Sequence, residues 1–183
     1  MYLLKLKDAK KNYLNISFDL TVNKGDLIII SGTNGTGKST LIKMIIGYIK
    51  PDTGYISKKI KKITYLSEQQ VMPEFFNSNT YLKELMRMKR GEYDRKLYYE
   101  FNIPNKPIKE LSKGNRQKLA IVGALIGKTD LYVFDEPLSG LDNQSVKIFS
   151  NKIKALQEEG CSVVIATHNK KAFSKMQYID ISL

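Results

Sequence analysis

The chain has no tryptophan, one cysteine and one histidine among its 183 residues. The single cysteine, Cys161, excludes an intrachain disulfide and with it the small bridge-dependent secreted scaffolds. Long apolar runs are also missing. The longest, residues 119–127, has nine residues, whereas a spanning helix needs about 20. The sequence therefore predicts no transmembrane segment. The start, Met1-Tyr2-Leu3-Leu4-Lys5, lacks the apolar core and cleavage site of a secretory leader. Internal repeats, low-complexity tracts and linkers are missing too. One domain over residues 1–183 is expected, large enough for a substantial core.

Acidic residues are scarce, with 18 Asp and Glu against 30 Lys and Arg, for a net charge of +12. Such a surplus suits nucleic acid or an anionic membrane surface. The lysines are scattered, however. Their densest cluster (Lys58, Lys59, Lys61, Lys62) follows the turn Pro51-Asp52-Thr53-Gly54 and reads as a solvated hairpin face.

What the chain does have is Gly32-Thr33-Asn34-Gly35-Thr36-Gly37-Lys38-Ser39-Thr40. The pattern G-x-x-x-x-G-K-[ST] is a phosphate-binding P-loop. The apolar Leu27–Ile30 stretch before it suits a buried strand, and residues 40–46 after it suit a helix. Glycines let backbone N–H groups converge on phosphate oxygens, and the helix start adds positive potential. Lys38 can reach the outer phosphates, and the Ser39 hydroxyl can ligate Mg²⁺.

Around this loop the pattern predicts strands at 2–7 and 13–22, forming an antiparallel hairpin, then short strands at 54–56 and 63–66. Residues 79–102 read as helical, interrupted at Gly91, and 101–109 as a proline-bearing connector. Ser112 or Asn115 can cap the next helix, and Asp142 another that ends at Gly160. Buried strands are expected at 131–134 and 162–166, with a last edge strand at 179–183.

Three further motifs follow in order. Asp135-Glu136 ends an apolar strand, where Asp135 can hold Mg²⁺ and Glu136 can orient or deprotonate water. Leu111-Ser112-Lys113-Gly114-Asn115 opens a helix, and Ser139-Gly140-Leu141-Asp142 follows the strand. The only histidine, His168, ends the third buried strand, the edge where open α/β sheets bind ligands.

This ordered set resembles the ATP-binding cassette (ABC) family, specifically the nucleotide-binding subunit of an ABC transporter, along nearly the whole chain. The resemblance implies an α/β P-loop NTPase fold with a RecA-like core, an N-terminal antiparallel sheet and a small helical subdomain at about 71–122. It implies an ATPase using ATP and Mg²⁺, with Glu136 and His168 catalytic and Ser39 and Asp135 on the metal. It implies head-to-tail pairing with a second nucleotide-binding subunit, identical or not. Ser112, Lys113, Gly114 and Asn115 then serve as a signature acting in trans, and Asp142 belongs to the D-loop. Lys113 and Asn115 replace the common Gly and Gln, a variant similar to exporter-type branches. Either Glu68 or Gln69 takes the Q-loop place. Tyr13 is the nearest aromatic for adenine, or else a core or sheet-face residue. The implied partner is a separate transmembrane permease, with no nucleic acid expected, and the place is the cytoplasmic face of the membrane. The alternative is a soluble ABC ATPase acting on nucleic acid or ribosomes.

Overall fold

A computed structural model describes residues 2–33 and 35–183. Its centre is a five-stranded parallel sheet. The strands are β3 (Leu27–Ser31), β5 (Ile63–Leu66), β6 (Leu131–Asp135), β7 (Ser162–Ala166) and β8 (Ile179–Ser182), in the order β5-β6-β7-β3-β8. Every residue of β3, β6 and β7 is buried. That burial explains their continuous apolar sequences, since helices or a second sheet cover both faces of a parallel sheet.

One face carries α1 (Lys38–Ile46) and a three-stranded antiparallel sheet made of β1 (Tyr2–Lys10), β2 (Ser17–Asn23) and β4 (Thr53–Lys58), in the order β2-β1-β4. Leu4, Leu6, Phe18, Leu20 and Val22 point inward from it, against Ile42 and Ile45 of α1. The opposite face carries α2 (Ser78–Lys89), α3 (Arg95–Glu100), α4 (Lys113–Ala124) and α5 (Asn143–Glu158). There Phe149 of α5 stands edge-on between Phe134 and Phe173, with ring centroids 5.4 and 6.3 Å away.

The expected elements form, with shifted bounds. The first strand runs on to Lys10, and the second begins at Ser17, not Tyr13. The alternation of Leu14 and Ile16 continues into a turn. The cause is Asp52, whose carboxylate accepts from the Asn12 amide at 2.8 Å and from the Lys11 ammonium. The Leu14 amide then bonds back to the Lys11 carbonyl. The predicted hairpin gains a third strand, β4, on the other edge of β1. The long helical stretch divides into α2 and α3, α2 ending at Arg90 in a left-handed conformation. Asp94 caps α3, accepting from the Leu97 amide at 3.0 Å.

Phe149 is fully buried and joins strand, helix and the segment after His168. Phe149→Ala is expected to cost about 3–5 kcal/mol, measured by denaturant unfolding. A loss within that of an exposed site would exclude this ring stack as a core anchor.

Candidate functional site

Register places the site. Across the sheet Ile30 pairs with Ala166, and Ala166 pairs with Asp135. The chain therefore leaves β3, β7 and β6 at one level, and the next residues on each strand open a common cleft. Gly35, Gly37, Lys38, Ser39, Thr40, Glu68, Asp135, Glu136 and His168 line this cleft of about 400 Å³. Leu14 and Ser139 line it too; sequence reasoning missed Leu14, and it named Ser139 only as part of the Ser139–Asp142 motif, singling out Asp142. Leu14 was hidden in an apparent strand. Ser139 sits in the D-loop motif, but nothing in its residue type marks it. Asn34 lies outside the described residues.

The loop is held by its own polar groups. Lys38 Nζ donates to the carbonyls of Gly32 and Thr33, each at 2.8 Å, and Thr36 Oγ1 donates to the Thr33 carbonyl at 3.0 Å. Gly32 cannot carry a side chain here. A Cβ would meet the Leu183 carbonyl oxygen at 2.6 Å and Thr36 Oγ1 at 2.7 Å, and its φ is +154°.

Opposite the ammonium stand carboxylates. Asp135 is nearly buried. Desolvation, then the neighbouring charges of Glu136 and Glu68, push its carboxyl above the ordinary range, against the opposing pull of Tyr65 and Lys38. Burial and the charge of Asp135 push the Tyr65 phenol up to about 12. Glu136 has a positive φ of 47°, a costly backbone for a non-glycine residue and one associated with functional sites. Its amide donates to the Ala166 carbonyl at 2.9 Å, and His168 Nδ1 lies 2.9 Å from its Oε2. Oε1 is left free of that contact.

Three carboxylates against one lysine leave the cleft short of positive charge. Oxygen donors from Ser39 and Asp135 suit a hard cation such as Mg²⁺. Among the described residues no group of three or more His, Cys, Asp or Glu forms a cage. Mg²⁺ keeps waters and phosphate oxygens and takes only one or two protein oxygens, a number that Ser39 and Asp135 could supply.

The two Q-loop candidates part ways. Glu68 lines the cleft, whereas Gln69 lines only a neighbouring groove of about 520 Å³. Gln70, which was not singled out, donates through Nε2 to Gln117 Oε1 at 2.6 Å, and Gln117 Nε2 donates to the Pro137 carbonyl at 2.8 Å. Tyr13 is neither core nor sheet face. It is 67% exposed in the turn before β2, and Leu14 faces the cleft instead.

Ser112 to Asn115 do not line the cleft. Ser112 caps α4, accepting from the Asn115 amide at 3.2 Å. Gly114 abuts the D-loop, where a Cβ would lie 2.6 Å from the Gly140 carbonyl oxygen. Asp142 caps α5 through the Ser145 amide at 2.7 Å and pairs with Lys118 at 3.1 Å. The Ser145 bonds and the lysine hold its carboxyl down at about 2.

The raised Asp135 carboxyl has a consequence for stability. A carboxyl whose folded pKa exceeds its unfolded value disfavours the fold once pH rises through the folded value. Asp135→Asn is therefore expected to raise the melting temperature at pH 7. The gain shrinks as pH falls toward about 4, where the unfolded carboxyl protonates. Thermal unfolding across that range checks it, and an equal or lower melting temperature at pH 7 would contradict the charge analysis.

The geometry agrees with comparisons to known proteins. The family model described as ABC transporter matches residues 15–139. An ABC transporter ATP-binding protein of Methanocaldococcus jannaschii is 33% identical over 95% of this chain and 69% of its own length. YhaQ of Bacillus subtilis, another ABC transporter ATP-binding protein, is 33% identical over 82% of this chain, which spans only 56% of it. The SkfA peptide export ATP-binding protein SkfE of the same organism is 28% identical, covering 92% and 80% of the two chains. Among solved structures, an ATP-binding subunit of an ABC transporter aligns with TM-score 0.81 at 26% identity, over 94% of this chain and 82% of that one. A bacterial ABC transporter cassette solved as a dimer aligns with TM-score 0.80 over 98% and 94%, and at 22% identity it supports the fold alone. The chain belongs to the ABC transporter family, as one of its ATP-binding ATPase cassettes.

Proposed function

We propose that this cassette, residues 1–183 with a signature-bearing helical part at about 71–122, drives a transporter by closing head to tail on a second cassette around two Mg-ATP. The observation that carries the reading is the one-sided cleft. P-loop, Asp135, Glu136 and His168 converge, while Ser112, Lys113, Gly114 and Asn115 open α4 outside it. An exposed helix start is an anion-binding end. In a head-to-tail pair each signature meets the partner's γ-phosphate.

Within one cleft the roles divide by geometry. Lys38 neutralises the outer phosphates, and Ser39 and Asp135 hold Mg²⁺, which supplies charge neutralisation at the phosphates when bound. Glu68 takes the Q-loop place at the cleft wall. Glu136 orients the attacking water and receives its proton at Oε1. His168 fixes the carboxylate through Nδ1 and turns its other, exposed edge to the γ-phosphate.

A separate permease is the proposed membrane partner, since no helix among the described residues is long and apolar enough to cross a membrane. The 520 Å³ groove beside Glu68 suits its docking. Val71 and Met72 line it, and Phe75 stands exposed nearby. The SkfE relative and the signature variant favour export. The working position is then the cytoplasmic face of the membrane.

Glu136→Gln is expected to lower turnover by roughly 10²-fold or more and to let ATP convert monomer to a stable dimer. Steady-state phosphate release and light scattering after gel filtration read the two effects. Persistent hydrolysis would remove Glu136 from its role, and a chain that stays monomeric with ATP would sink the head-to-tail reading.

A further inference from the structure

Between α5, from Asn143 to Lys154, and the segment 171–176 lies a second cleft, of about 350 Å³, that shares no residue with the P-loop cleft. Four lysines, Lys147, Lys154, Lys171 and Lys175, stand around it, and no carboxylate lines it. Lys154 has only a loose, exposed pairing with Glu158 at 3.8 Å. Among the described residues the other three form no ion pair, whereas Lys118, Lys152 and Lys170 each have a carboxylate within 3.1 Å. Asn143, the first residue of α5, also lines the cleft, while the helix start itself is capped by the Asp142 carboxylate.

A solvated lysine face accounts for the charges alone. It does not account for Ser150. This residue lines the same cleft, is 8% exposed, and its hydroxyl is buried without a hydrogen-bond partner. Buried hydroxyls are normally satisfied, because an orphaned one keeps its desolvation cost with no return. An unsatisfied donor among three unpaired ammoniums and a fourth that is loosely paired has the chemistry of an oxyanion site.

We propose that this cleft binds a phosphate-type anion, separate from the nucleotide site, with the lysines balancing its charge and the Ser150 hydroxyl, buried beneath the cleft surface, turning outward to donate to it. The source is either a soluble phosphate compound or a lipid headgroup, since both present the same oxygens.

Amine-reactive labelling resolved by mass spectrometry tests this on the whole chain at about 0.15 M salt, where loose surface attraction is screened. Inorganic pyrophosphate at millimolar concentration is expected to slow labelling of Lys147 and Lys171, leaving the remote Lys61 unchanged. Lys38 reports the P-loop separately in the same spectra, so failure of one site is distinct from failure of the other. Ser150→Ala is expected to weaken pyrophosphate protection at Lys147 and Lys171 roughly tenfold. The variant should melt no lower than its parent and hydrolyse ATP at the same rate. Protection by phosphatidylglycerol vesicles but not by pyrophosphate supports the site and assigns it to a headgroup. No protection by either probe overturns the proposal, as does protection that Ser150→Ala leaves intact.

Discussion

The level register of Ile30, Ala166 and Asp135 is the constraint on which the rest depends. Three buried strands end in one row, and the ladder continues one step beyond it. The Thr167 amide donates to the Ile30 carbonyl, and the Glu136 amide donates to the Ala166 carbonyl, both at 2.9 Å. Those bonds fix where Gly32, Glu136 and His168 leave the sheet. Side chains alternate with period two, so a slip of one residue in β6 would turn Asp135 to the other face. Because β3, β6 and β7 are buried on both faces, it is the close packing of their particular side chains, not apolar alternation, that resists such a slip. The precision of the site is thus a by-product of the core.

The cleft so formed is locally acidic inside a strongly basic chain. Asp135 is desolvated by burial and crowded by Glu136 and Glu68, and it bears the cost as a raised pKa. The left-handed backbone at Glu136 adds strain at the same place. Neither feature stabilises the fold. On the proposed reading a cation and phosphates would complete the site, where a metal would offset the repulsion and the bent backbone would aim the carboxylate at the attacking water. Stability and activity therefore pull against each other at the end of β6.

Much of this was legible because the signals were local. The P-loop, the apolar strands and the caps at Ser112 and Asp142 each depend on neighbours within a few residues, and each forms where the pattern places it. What escaped was set at long range. Asp52 reaches back about 40 positions to end the strand pattern at Lys11 and Asn12, which brings Leu14 rather than Tyr13 to the cleft. The choice between Glu68 and Gln69 rested on which way the chain turns after β5, and side-chain types do not say. Scattered lysines looked like a solvated surface until folding brought positions 147, 154, 171 and 175 around one buried serine.

Gln117 shows how two such long-range links act together. It lies on the signature helix, is nearly buried, and uses one amide group in two directions. Its oxygen accepts from Gln70 in the groove beside Glu68, and its nitrogen donates to the Pro137 carbonyl just after Glu136. Gln117 thereby links the groove segment to the chain that carries Glu136. Gly114 tightens the same connection from the other side, since its contact with the Gly140 carbonyl leaves no slack between signature and D-loop. The groove beside Glu68 and the chain just after Glu136 are thus joined through the one side chain of Gln117. Gln117 is nearly buried, so an unmade bond there would carry a desolvation cost, which favours keeping both links.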